Sequence, residues 1–186
     1  MDPHPFVIEK HSLILRITHW LNVVFLSLMI WSGLLIAWAD QTSYVIPSSL
    51  GPFQIHHRLA EGMGWHFFIM WPFVINGMVY IVYQLFSGEW RELVFPGKKF
   101  HPVQRLAYVG AILMGLFSVL TGLAIYKPVQ LSFLTSLFLG YEIARLLHFA
   151  FMVGFVIFIT VHVIQVIRAG WNNLRSMVAG FEIHES

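Results

Sequence analysis

Cysteine is absent from the 186 residues. That excludes disulfides, thiolate zinc sites and iron–sulfur clusters held by this chain. Charge is scarce as well, at 11% of residues with a net charge of +2. A soluble domain carries about 25% charged residues, so this chain is too apolar to cover itself with a polar surface. Its few basic residues are scattered between apolar blocks, which argues against a nucleic-acid-binding face. No repeat, low-complexity tract or linker divides the sequence, and 1–186 reads as a single membrane domain.

What the chain has in excess is apolar length, with 58% of its residues hydrophobic. Crossing a hydrocarbon core of about 30 Å takes roughly 20 apolar residues in a helix. Four stretches qualify: Ile17 to Ala39, Met63 to Phe86, Leu106 to Tyr126 and Leu146 to Ile167. With their flanking turns they predict spans over approximately 13–39, 63–86, 105–126 and 144–168 of an all-α integral membrane protein. The first stretch is too long for a signal-peptide core and shows no small-residue cleavage site, so it is kept as a span. Trp20, Trp38, Trp65, Trp90, Tyr126, Tyr141 and Trp171 lie near span ends, where amphipathic rings favour the lipid interface. An even number of spans puts both termini on one side. That side carries eight of the eleven basic residues and the other only Arg58, Lys127 and Arg145, which predicts cytoplasmic termini. The apolar segment from Leu131 to Leu139 is expected to lie along the outer membrane surface.

Four histidines interrupt this apolar material. His148 and His162 are fourteen residues apart on the fourth span. That is nearly four helical turns, so they share one face about 21 Å apart along the axis. His19 lies at the cytoplasmic start of the first span and His66 at the outer start of the second. The depths therefore match as His19 with His162 and His66 with His148. A single membrane histidine commonly hydrogen-bonds a neighbouring helix, but two depth-matched pairs point to function. Zinc and copper want further nitrogen, sulfur or carboxylate ligands, and the four apolar stretches contain no Asp or Glu. Haem iron needs only two axial ligands, because its porphyrin supplies the other four. Two imidazoles fill both positions, which favours electron transfer over oxygen chemistry. The expectation is two b haems stacked across the bilayer, with His19 and His162 on the inner iron and His66 and His148 on the outer one. Gly33 and Gly77 lie near the faces of His19 and His66, where a missing side chain would admit a flat macrocycle or a neighbouring helix. Arg16, Arg105, Arg145 and Arg168 lie near the haem ends and are candidates to pair with propionates, or are ordinary interfacial anchors.

Four segments then resemble a known family: "RITHW" opening the first span, "HFFIMWPFVINGMVYIVYQLFSGEW", "HPVQRLAYVGAILMGLFSVLTGLAI" and "RLLHFAFMVGFVIFITVHV". They are similar to the dihaem membrane cytochrome b group that includes bacterial cytochrome b561 and the cytochrome b subunits of nickel–iron hydrogenases, formate dehydrogenases and thiosulfate reductases. The resemblance covers nearly the whole chain, and the paired histidines of the fourth span are its most specific element. It implies a four-helix bundle in the bacterial inner membrane with axial ligation at His19, His66, His148 and His162. It further implies an electron carrier between the quinone pool and a periplasmic redox partner such as a molybdopterin oxidoreductase. Asn22, His101 and Arg105 are candidates for the quinone site; His101 also reads as an exposed loop histidine. The cytochrome b561 branch implies an alternative, a free-standing superoxide:quinone oxidoreductase with Arg58, Lys127 and Arg145 around an outer opening. His56 and His57 compete for the second-span ligand. His57 is nine residues from His66, half a turn out of phase, which favours His66. A transporter or structural membrane protein is the third class, and a colourless pure protein would point to it.

Overall fold

The structure, a computed structural model of the chain, describes residues 6–39, 58–95 and 102–184. His56, His57 and His101 lie outside the described residues. In chain order the elements are β1 (Phe6–Glu9), α1 (Leu13–Ala39), α2 (Leu59–Ser87), α3 (Trp90–Val94), α4 (Pro102–Tyr126), α5 (Ser132–Leu137), α6 (Tyr141–Ala169), α7 (Trp171–Ala179) and β2 (Phe181–His184). The described residues are thus all-α apart from a two-stranded ribbon, and α1, α2, α4 and α6 are long and apolar enough to cross a membrane. The shortest, α4, has 25 residues and reaches about 38 Å at 1.5 Å per residue.

All four long helices begin earlier than their apolar stretches, and two of them do so with a charged pair in the first turn. α2 starts at Leu59, where Arg58 Nε and Nη2 donate to the two carboxylate oxygens of Glu61 at 2.7 and 2.5 Å. α6 starts at Tyr141, and Arg145 donates to Glu142 at 3.2 Å. In both, an acidic residue in the first turn complements the positive end of the helix and pairs with an arginine three residues away. Helix continues through residues that hydropathy alone assigns to a loop. Pro72 sits inside α2, as membrane helices tolerate.

The described chain forms two compact units. One spans His11–Tyr83 and contains α1 with most of α2. Its helices are antiparallel. At one end Asn76 Nδ2 donates to the Thr18 carbonyl at 2.9 Å and to Asn22 Oδ1 at 2.8 Å. At the other end Gly62 meets Ser32, Leu35 and Ile36 so closely that an added Cβ would come within 2.9 Å of Leu35 Cβ. Trp31, Trp65 and Phe68 make edge contacts on the same side of this unit, at 6.4 and 6.3 Å between ring centres.

The other unit comprises Met1–Lys10 and Gln84–Ser186. Here α4 and α6 run antiparallel. Phe117 stacks on Phe151 at 5.7 Å, and Gly115 and Gly154 make room for Phe155 and Met114 respectively. Ala124, Phe138 and Ala144 form a small buried core with Leu120, Ile125, Leu134 and Leu147 around it. α5 lies over this core, tied down by the Thr135 hydroxyl, which reaches the carbonyls of Ala124, Pro128 and Leu131. Phe133, Leu137 and Leu139 remain exposed on this segment, whose apolar character led to the expectation of a surface position.

Gly170, at φ 83, ends α6 and turns the chain into α7. β2 then pairs antiparallel with β1, with Val7 opposite Ile183 and Ile8 opposite Glu182. Asn172 clamps this ribbon to α7: its amide donates to the Ile183 carbonyl at 2.9 Å, and Ile183 N–H donates back to Asn172 Oδ1 at 3.0 Å. Arg175 donates to the same oxygen and lies over the Phe181 ring at 5.6 Å. Lys10 completes the corner with Glu182 Oε1 at 2.5 Å and Asn173 Oδ1 at 3.0 Å. The ribbon therefore brings the two ends of the described chain together.

Candidate haem-binding histidines

His66 projects from α2 against the Ser32–Gly33 step of α1. Its Nδ1 lies 2.9 Å from Ser32 Oγ, and a Cβ built on Gly33 would stand 3.5 Å from its Cε1. His148 projects from α6 against the Thr121–Gly122 step of α4. Its Nδ1 lies 3.1 Å from Thr121 Oγ1, and a Cβ on Gly122 would stand 3.1 Å from its Cε1. Ser32 and Thr121 are both fully buried. The two histidines thus share one local environment, a hydroxyl on Nδ1 and a glycine under the ring.

The other two histidines lie at a second level in each unit. In the first unit, antiparallel register puts His66 level with Ser32, and His19 is thirteen residues before Ser32 on α1. That separation is about 20 Å along the helix. In the second unit His148 and His162 are fourteen residues apart on α6, about 21 Å. Each helix pair, taken alone, carries two imidazole levels at nearly the same spacing. His19 has the Trp20 ring edge-on at 5.5 Å, and His162 stacks on Phe158 at 5.8 Å.

Such spacing suits a pair of two-ligand centres. Among the described residues no three His, Cys, Asp or Glu side chains converge on a point that could hold a metal ion. The family model described as prokaryotic cytochrome b561 matches residues 10–180. The chain belongs to the prokaryotic cytochrome b561 family. A putative protein-methionine-sulfoxide reductase subunit, YedZ1 of Azospira oryzae, is 34% identical to it, with 82% of this chain and 87% of that relative covered. No solved structure matches at a significant level. This cytochrome b561 is accordingly a multi-pass haem b protein of the bacterial inner membrane and a component of electron transport.

The residues present fit that cofactor. Neutral imidazole is a ligand suited to iron. Arg105 adds a half-buried cation, whose Nε and Nη1 are buried and have no hydrogen-bond partner among the described residues. The register that sets Thr121 beside His148 and Gly115 beside Phe155 brings Arg105 within a turn of the His162 level. Gly77 faces open space, with nothing within 4 Å of an added Cβ.

The remaining candidates divide. Arg145 is engaged by Glu142 and lies over the Tyr141 ring at 5.8 Å, and Arg168 is exposed in the last turn of α6. Arg16 is half-buried one turn before His19. Of the quinone candidates, Asn22 accepts a hydrogen bond from Asn76 Nδ2 at its amide oxygen, which makes it a pin between α1 and α2. Three polar residues beside these positions escape a reading based on histidine spacing: Ser32, Thr121 and Asn76. The signal available for the first two was the Ser-Gly and Thr-Gly dipeptides inside otherwise apolar stretches.

Proposed function

We propose that this chain is a single dihaem cytochrome b domain that carries electrons across the membrane between the quinone pool and a redox partner on the outer side. The inner haem would be held by His19 and His162 and the outer one by His66 and His148. When bound, each haem supplies a reversible one-electron iron couple. The histidines would hold the group and leave no open iron position for another ligand. Arg105 would neutralise a propionate at the inner level. Phe158, stacked on His162, limits that ring's rotation. The observation that carries this reading is the equal spacing of the histidine levels in the two helix pairs.

The partner reading follows the relative, which is named as a subunit of a putative protein-methionine-sulfoxide reductase. An oxidoreductase subunit outside the membrane, molybdopterin-dependent or similar, is the corresponding partner here. The free-standing alternative, reaction with superoxide, would need a basic opening on the outer side. Two of the three cations there are already matched by carboxylates, Arg58 by Glu61 and Arg145 by Glu142. The hydrogen bond to Glu61, and then its charge, raise the Arg58 pKa, but they also cancel its field. That favours the subunit reading.

The test is a reduced-minus-oxidised spectrum with haem quantitation on the purified full chain. Wild type is expected to hold two low-spin haems per chain. Replacing His148 or His162 singly should each remove one haem and leave the other. A replacement that leaves both haems low-spin would refute the ligand assignment. Co-purification with a soluble oxidoreductase supports the partner reading, whereas quinone reduction by superoxide with no partner present supports the alternative.

A further inference from the structure

We propose that Ser32–Gly33 and Thr121–Gly122 are matching clamps that fix the tautomer and ring position of His66 and His148. This rests on the reading that these two histidines ligate the outer haem. Ser32 and Thr121 would be positioning residues: they act on the ligands and not on the iron.

The tautomer follows from counting hydrogens. A hydroxyl has one proton to donate. Ser32 Oγ lies 2.7 Å from the Leu28 carbonyl, and Thr121 Oγ1 lies 2.6 Å from the Phe117 carbonyl. Two oxygens that close repel unless a proton lies between them, so each hydroxyl donates to its own helix. Its oxygen is then an acceptor towards the imidazole, 2.9 Å from His66 Nδ1 and 3.1 Å from His148 Nδ1. The ring must donate, so the proton is on Nδ1. In a neutral imidazole the lone pair is then on Nε2.

The glycines set the distance at which this works. A Cβ on Gly122 would stand 3.1 Å from His148 Cε1 and 3.6 Å from Nδ1. At Gly33 the corresponding distances to His66 are 3.5 and 3.8 Å. A side chain at 122 would force the ring to shift by a few tenths of an ångström and so strain its contact with the hydroxyl, whereas a methyl group at 33 makes only an ordinary contact. The same dipeptide plan occurs on α1 and on α4, each against the one histidine at its level. Hydrogen bonding at the second ring nitrogen orients a metal-bound histidine and raises its basicity. Better donation stabilises ferric over ferrous iron, so the clamps would hold the outer haem's potential down.

The experiment uses the full chain in detergent or native membranes, with haem content, haem dissociation rate and a redox titration as readouts. Ser32→Ala and Thr121→Val are expected to keep low-spin spectra, to raise the midpoint potential of one and the same haem, and to speed that haem's loss by about tenfold. Ser32→Thr and Thr121→Ser, which keep the hydroxyl, should restore wild-type values. Gly122→Ala should shift the same haem and Gly33→Ala should not. The proposal is overturned if a dihaem wild type is found and the hydroxyl deletions leave both potentials unchanged, or if the two deletions move different haems. A wild-type chain that binds no haem, or a His66 or His148 replacement that keeps both, would instead overturn the ligand assignment beneath it.

Discussion

A guanidinium cannot shed its proton to escape burial. Leaving one unpaired inside a membrane protein costs several kcal/mol, so the two buried nitrogens of Arg105 that have no partner among the described residues favour an anion beside them when the protein is loaded. A haem propionate at the His162 level satisfies that requirement. Removing the cation would then stabilise the ferric form of the inner haem. Arg105→Gln is expected to lower that haem's midpoint potential, by about 60 mV if roughly 1.4 kcal/mol of charge interaction is lost, and to leave the outer haem unmoved. A redox titration that resolves the two haems checks this. A shift in the outer haem alone would assign Arg105 to the other level.

At the scale of elements, the register of α1 on α2 is set at both ends by small or polar groups. Asn76 pins one end through Thr18 and Asn22, and Gly62 permits close approach at the other. Interhelical hydrogen bonds in membranes are worth about 0.6 kcal/mol on average and up to about 1.7, so Asn76→Leu should destabilise the fold by about 1 kcal/mol without removing a haem. Gly62→Val drives two methyl groups into Leu35 and Ile36, an overpacking that costs about 1–3 kcal/mol. It should also displace Ser32 from His66 and loosen the outer haem. Unfolding in denaturing detergent, followed by haem absorbance, separates the two variants.

These features also show what the sequence could convey. Four spans were legible because each holds twenty or more apolar residues, and the placement of His148 and His162 on one helix was legible because they interrupt a single apolar stretch. The early starts of α2 and α6 were not, since Arg58–Glu61 and Glu142–Arg145 look like loop charge until they are seen pairing within a first turn. The ribbon was hidden because β1 and β2 have four residues each and meet from opposite ends of the chain. Ser32 and Thr121 gave little signal for a chemical reason. A membrane Ser or Thr normally satisfies itself on its own i−4 carbonyl, and these two do so as well. Only the neighbouring helix reveals that the same oxygen also lies against an imidazole nitrogen.

For the molecule as a whole, sidedness decides which haem faces which reactant. Pairing of β1 with β2 brings the two ends of the described chain together, and the basic residues, eight against three, carry the proposal that this end is cytoplasmic. Sidedness also has an energetic consequence, because moving one electron across the full membrane potential involves about 2.3 kcal/mol per 100 mV. The potentials of the two haems must be ordered against that gradient when electrons run inward to quinone, and along it when they run outward. The absence of cysteine supplies a clean background for finding the orientation. Val129, in the turn between α4 and α5, and Val178, on α7, are both well exposed. In intact cells stripped of the outer membrane, Val129→Cys should react with a membrane-impermeant maleimide, and Val178→Cys should react only after lysis. The reverse pattern would exchange the two faces, place His66 and His148 at the cytoplasmic surface, and move the site of the soluble partner to the opposite end of the protein.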